Sequence, residues 1–168
     1  GPSVTAWFNT MEPVRALIAE ENAGHTGLTL YEAYEPVLLG SGGTIRNNHA
    51  FVSGEESFLI CYADNLTNVN LTDFLEFHAS HDGILSMTLF HTNLPQQCGI
   101  TSLDENSRII GFEEKPQHPK SNLANAGIYI ARQNLFDYLP AVEVLDFGKD
   151  VLPDLVGQMY GWLAGDYL

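Results

Sequence analysis

Basic residues are what this chain has least of. Seven Lys and Arg stand against 21 Asp and Glu in 168 residues, for a net charge of −14. Phosphate backbones and anionic membrane surfaces are held by clustered Lys and Arg. The seven here are scattered, which argues against a nucleic-acid or membrane-surface partner. A small anionic substrate would need local basic groups, helix N-termini or a metal ion to offset the overall field. Cysteine is also scarce. Cys61 and Cys98 both lie in apolar surroundings, so no disulfide framework is expected, and no Cys/His spacing suits zinc. No apolar run reaches transmembrane length and no signal peptide is visible, so a cytoplasmic location is the expectation. In that setting the glycosylation-type triplets at Asn65 and Asn70 carry no meaning. Gly1-Pro2 reads as a remnant of tag removal, and with no initiating Met the chain is expected to begin inside a longer gene product.

What is present is enough apolar sequence, 45%, for a core, and a length that suits one domain over residues 1–168. Val4 to Phe8 reads as a strand ending at an Asn9-Thr10 cap. Glu12-Pro13 opens a helix whose apolar face is Val14, Leu17 and Ile18. Leu28 to Tyr34 alternates as a strand. Gly40 to Gly43 reads as a glycine-rich turn and Thr44 to Phe51 as a helix. Phe58 to Tyr62 lacks polar alternation, as a strand covered on both faces would. A helix over Leu71–Ala79 places Leu71, Phe74, Leu75 and His78 at helical spacing. Ile84 to Phe90 is a strand. Gly99–Leu103 and Arg108–Glu113 form a hairpin around the turn residues 104–107, and Gly127–Ala131 is a further strand. Leu135–Leu139 is a short helical piece, Phe147–Val156 a helix that Pro153 kinks or shortens, and Met159–Leu163 a last strand. Strands and helices alternate in the first half. That predicts an α/β fold with a mixed, mostly parallel sheet and helices on both faces.

Four stretches have residue types suited to chemistry. Tyr62-Ala63-Asp64-Asn65 ends the apolar strand in a carboxylate, at the edge where open α/β sheets bind ligands. A lone Asp there can hold a hard cation against a phosphate, although taken alone its commoner role is to cap a turn or helix. Leu39-Gly40-Ser41-Gly42-Gly43-Thr44 suits close backbone approach to a ligand, with helix N–H groups behind it, or simply a tight turn. Phe112-Glu113-Glu114-Lys115-Pro116 puts a Lys just past a strand, where it can meet a phosphate as a point charge, or only an exposed Glu-Lys pair. Ser121 to Tyr129 carries Asn side chains that suit sugar hydroxyls, with Gly127 leaving room for a flat ligand, or a loop that enters a strand. The six histidines pair with no Ser or Cys in a catalytic arrangement and read as structural or solvated.

In this order, and with Cys98-Gly99-Ile100 and Asp146-Phe147-Gly148-Lys149-Asp150 added, these segments resemble the sugar-1-phosphate nucleotidyltransferase family, in its guanylyltransferase or thymidylyltransferase branch. The resemblance covers nearly the whole chain. It implies a three-layer, Rossmann-like fold. It also implies a reaction in which a sugar 1-phosphate attacks the α-phosphorus of a nucleoside triphosphate, releasing pyrophosphate and forming a nucleotide-sugar. Matched position by position, Gly40 and Gly43 border the nucleobase, Asp64 binds Mg²⁺ and Lys115 contacts the sugar phosphate. Gly99, Glu114, Asn125 and Gly127 border the sugar. Ala63 replaces the Gly usual before the metal Asp. The family's first strand and its glycine-rich triphosphate loop have no counterpart here, and the second metal Asp normally follows a final strand, beyond Asp166. The chain therefore looks truncated at both ends and is expected to be weakly active or inactive alone. The alternative is a non-catalytic nucleotide-sugar-binding or oligomeric module. Without the first strand, the strands at Val4–Phe8 and Phe58–Tyr62 would lose a shared neighbour, so a homo-oligomer or a rearranged sheet is expected.

Overall fold

A computed structural model describes residues 3–6, 12–24, 27 and 29–165. Trp7, Phe8, the Asn9-Thr10 cap, His25, Leu28 and Asp166 lie outside the described residues. The chain forms two compact units, Gly1–Gly40 and Ser41–Leu168.

In the first unit, β1 (Ser3–Ala6) and β2 (Thr29–Glu32) pair in parallel, joined by α1 (Glu12–Ala23). A parallel pair needs such a crossover, and a helix is its usual form. Arg15 Nε donates to both carboxylate oxygens of Glu32, at 2.9 and 2.8 Å, and holds that carboxyl below the ordinary range. Asn22 ties the helix end to β2, donating to Leu30 C=O at 2.9 Å and accepting from Leu30 N–H at 2.7 Å.

The second unit begins with α2 (to Asn47, counted from Gly40) and α3 (His49–Val52). The helix therefore starts on the glycines themselves, four residues before Thr44. Next come β3 (Ser57–Cys61), α4 (Leu71–Ala79), β4 (Leu85–His91), β5 (Gly99–Leu103), β6 (Ile109–Glu114), β7 (Leu123–Arg132) and β8 (Met159–Leu163). The strand order is β6-β5-β7-β4-β8, with β3 also on β7. The sheet is mixed, as the sequence suggests, but mostly antiparallel where a mostly parallel one is expected, and its balance is set by β7. That strand runs against β3, β4 and β5, so antiparallel pairs dominate and β4–β8 is the parallel one here. It also begins at Leu123, four residues before the expected Gly127, so the Asn-rich stretch is strand and not approach loop.

Alternation along β7 makes the layers. Ile128 and Ile130 pack with Phe74 on the α4 side. Tyr129 and Ala131 face the other way, with Leu135, Phe147, Val151 and Leu155. On α4, Asn70 caps the N-terminus by accepting from Thr72 N–H and Asp73 N–H. Its buried stripe is Phe74 and His78, whereas Leu71 and Leu75 are exposed. The helix expected over Phe147–Val156 is a π-helical turn (Phe147–Val151) followed by a 3₁₀ turn (Leu152–Leu155). Pro153 sits where its missing N–H costs nothing.

Candidate functional site

The apolar run of β3 ends at Cys61, and the chain turns at Tyr62-Ala63-Asp64-Asn65, closed by Asn65 N–H donating to Tyr62 C=O at 3.1 Å. Asn65 Nδ2 donates to Ala126 C=O at 2.9 Å and so pins the turn to β7. Asp64 is exposed at the tip.

Beside this turn β7 bulges. Met87 on β4 pairs with Tyr129 and Leu89 with Asn125, so a step of two residues on β4 faces a step of four on β7. The slack is taken up at Gly127, whose φ of 74° is a left-handed conformation open to glycine and costly for other residues. A Cβ there would lie 2.7 Å from Asn65 Nδ2 and 3.0 Å from the Tyr62 ring. Gly127 N–H donates to Asn125 Oδ1 at 2.9 Å, and Asn125 Nδ2 donates to Tyr129 Oη at 2.6 Å. Tyr129 is fully buried, and its ring stands edge-on to that of Tyr62, with centroids 6.1 Å apart.

The β5–β6 hairpin supplies the acid. Gly99 pairs with Glu114, and a Cβ on Gly99 would meet the Glu114 carboxylate and the Phe112 ring, each at 2.7 Å. The glycine therefore makes room for the carboxylate. Lys115 follows with φ 47°, and its N–H donates to Cys98 C=O at 3.0 Å. A β-carbon-bearing residue rarely adopts this backbone conformation. Its Nζ lies 4.0 Å from Glu114 Oε1 and is largely in solvent.

The π-helical turn closes the group. Asp146 Oδ1 accepts from Lys149 N–H at 2.8 Å, while Asp146 N–H donates to Asp150 Oδ2 at 2.8 Å, a reciprocal cap. A Cβ on Gly148 would stand 3.2 Å from Glu114 Oε2 and 3.4 Å from Asp146 Oδ1, so the two acids face one glycine. Burial raises the Glu114 carboxyl above its ordinary value. Lys115 opposes this and Asp146 adds to it. Burial also raises the Tyr62 and Tyr129 phenols, so both are neutral donors at neutral pH. Burial, with Asp64 nearby, raises the Cys61 thiol as well.

The fold thus gathers Gly99, Glu114, Lys115, Asn125 and Gly127 around one end of β7, with the Asp64 turn pinned beside them. Gly43 lies in α2, buried, with its N–H on Leu145 C=O at 3.1 Å. Gly40 ends the first unit with φ 75°. The sequence names the Asp146–Asp150 and Ser121–Tyr129 segments but does not single out Asp146, Gly148, Tyr62 or Tyr129. Tyr129 carries a usable signal, an aromatic with a hydroxyl between Ile128 and Ile130, which needs a polar partner when buried. Asp64 suits Mg²⁺, which takes one or two carboxylates together with substrate phosphates and water. Among the described residues its carboxylate stands outside any group of three or more potential metal-binding side chains.

A second polar cluster lies at the other end of β7. His81 Nδ1 accepts from Gly83 N–H at 3.1 Å, so its Nε2 carries the proton and donates to Ser86 Oγ at 2.9 Å. Ser86 donates onward to His78 Nδ1 at 2.8 Å. Arg132 holds the carbonyls of His78, His81 and Gly83. Burial and the Arg132 charge depress both imidazoles to about 4. Ser86 is fully buried, so the trio is structural and cannot act as a nucleophilic triad. Open depressions of about 510 and 570 Å³ border this end, lined in part by His81, Asp82, Arg108 and Tyr160.

The nucleotidyl transferase family model matches residues 9–165. A mannose-1-phosphate guanylyltransferase of Mycobacterium tuberculosis is 28% identical over 148 residues, 84% of this chain and 40% of that protein. A glucose-1-phosphate adenylyltransferase of Clostridium botulinum is 35% identical over 127 residues, 70% of this chain and 33% of that protein. This chain therefore spans well under half the length of these curated relatives. A Bacillus anthracis structure, provisionally described as a glucose-1-phosphate thymidylyltransferase in complex with a sucrose, superposes with a TM-score of 0.80 at 18% identity, covering 99% of this chain and 68% of that one. With the family model matched over residues 9–165, this chain belongs to the nucleotidyl transferase family.

Proposed function

We propose that this chain carries the hexose-1-phosphate side of a site that transfers a nucleoside monophosphate from a triphosphate to a sugar 1-phosphate. The observation that supports this best is the convergence of Glu114, Asn125 and the neutral Tyr129 hydroxyl with Lys115 beside them. An acceptor carboxylate and a donor–acceptor amide suit ring hydroxyls, and an exposed ammonium suits a phosphate. Gly99 and Gly148 leave room for the Glu114 carboxylate and Gly127 for the Asn65 turn, and by the family resemblance Gly40 and Gly43 would border the nucleobase.

In the reaction, a phosphate oxygen of the sugar 1-phosphate attacks the α-phosphorus, forming the new P–O bond, and the bond to pyrophosphate breaks. Lys115 holds the attacking phosphate and offsets its charge. Glu114 and Asn125 fix the ring so that the attack is in line. Asp64 would hold Mg²⁺, whose positive charge would offset the negative charge developing on the phosphates. Alone, the chain is expected to bind a sugar 1-phosphate or nucleotide-sugar with little turnover. A homo-oligomer is part of the proposal. β3 has β7 as its one ladder partner among the described residues, and its Leu59 is half exposed, a pattern that invites strand pairing.

The test is calorimetric titration of α-D-glucose 1-phosphate and α-D-mannose 1-phosphate with Mg²⁺ and a triphosphate, beside a pyrophosphate-release assay and light scattering. Saturable binding of one sugar phosphate, lost in Lys115→Ala, supports the reading. Absence of binding by any sugar 1-phosphate or nucleotide-sugar contradicts it.

A further inference from the structure

The start of α2 is occupied by protein. Gly42 N–H and Gly43 N–H both donate to Leu145 C=O, at 2.9 and 3.1 Å. A Cβ on Gly42 would come within 2.9 Å of Leu145 Cγ, so the glycine allows the two segments to touch. Ser41 Oγ accepts from Phe147 N–H at 2.9 Å. One turn further on, the Arg46 fork reaches Pro140 C=O and, at 2.8 Å, Val142 C=O. Five hydrogen bonds from a single short helix thus grip residues 140–147, a stretch with no ladder partner of its own. Asp146 lies inside the gripped stretch and Gly148 directly after it, both set against Glu114.

We propose that Ser41 and Arg46 are positioning residues that clamp the 140–147 segment and thereby set where Asp146 and Gly148 stand relative to Glu114, coupling the glycine motif to the sugar side of the site. The clamp stands on the contacts above. Its effect on sugar binding rests on the reading under Proposed function.

The test uses the full chain and three variants, Ser41→Ala, Arg46→Ala and Gly42→Ala. Amide hydrogen exchange is read at residues 142–149, with β4 and β7 as internal controls, and the Glu114 carboxyl is titrated by carbon-13 NMR. Each variant is expected to raise exchange at 142–149 about tenfold with β4 and β7 unchanged, and to shift the Glu114 midpoint down as burial and Asp146 are withdrawn. Affinity for α-D-glucose 1-phosphate or α-D-mannose 1-phosphate, whichever the unaltered chain binds, should fall about tenfold. Arg46→Lys, which keeps the charge but reaches one carbonyl at a time, should fall between Arg46→Ala and the unaltered chain, and it decides the matter if the alanine variants do not fold. Unchanged exchange and an unchanged Glu114 midpoint would overturn the clamp. A response in both with unchanged sugar-phosphate affinity would overturn the coupling. If the unaltered chain binds neither sugar phosphate, the functional reading fails, and exchange and titration still decide the clamp.

Discussion

Asn125 donates its side-chain amide to the phenol oxygen of Tyr129 at 2.6 Å, although the two lie four residues apart on one strand. Four residues of regular strand span roughly 13 Å. The bulge at Gly127 and the length of the Tyr side chain bring the groups together. Tyr129→Phe should therefore cost about 1 kcal/mol of unfolding free energy, the net worth of one buried hydrogen bond, without opening a cavity. Urea unfolding measures this. A loss above about 3 kcal/mol would mean that the phenol supports more than Asn125.

Gly127→Ala combines an unfavourable φ with a Cβ that strikes Asn65 Nδ2. The expected cost is about 1–3 kcal/mol, together with loss of the Asn65–Ala126 hydrogen bond that pins the Asp64 turn. Thermal unfolding with an amide NMR spectrum of residues 62–66 checks both. A variant as stable as the parent, with those signals unmoved, would contradict the prediction.

Lys115 holds a left-handed backbone that glycine adopts more easily. Lys115→Gly is predicted to leave stability equal or raise it by about 1 kcal/mol while abolishing sugar-phosphate binding. The opposed directions separate strain kept for function from a plain turn residue. Destabilisation by this change would remove the strain argument.

The histidine cluster predicts acid sensitivity. His78 and His81 have folded-state values of about 4, below the usual 6.5. The unfolded chain then binds more protons between those limits. The stability contributed is fully present above pH 6.5 and is lost as pH falls through 4. The slope approaches about 1.4 kcal/mol per pH unit for each histidine. Urea midpoints at pH 7, 6, 5 and 4.5 should fall steadily in the parent and less in His81→Phe, which removes one titrating group. A parent flat between pH 6.5 and 4.5 would contradict the proton assignment.

Much of the second unit is legible in the sequence. Apolar runs and turn residues mark β3, β4, the β5–β6 hairpin and β8 to within a residue or so. β7 is less so, because Asn122 and Asn125 suggest a loop while the ladder to β4 keeps the backbone extended through Leu123. The face of α4 is misjudged where Leu71 and Leu75 are counted with Phe74. Apolar residues on both flanks of the buried stripe make the spacing ambiguous, and packing against Ile128, Ile130 and Trp162 decides it. At the candidate site, motif order points to Glu114, Lys115, Asn125, Gly99 and Gly127, which the fold brings near one another. It does not point to Asp146, since its proximity to Glu114 depends on the α2 contacts, which join residues about a hundred positions apart.

The central claim is that a sugar 1-phosphate sits at the Asn125 end of β7. Nitrogen-15 NMR of the chain titrated with α-D-glucose 1-phosphate and α-D-mannose 1-phosphate tests it most directly. Saturable shifts at Gly99, Glu114, Lys115, Asn125 and Gly148, absent with inorganic phosphate at the same concentration, are predicted for at least one of the two. Saturable shifts confined to His81, Asp82 and Tyr160 at the other end, or none with either sugar phosphate, would contradict it.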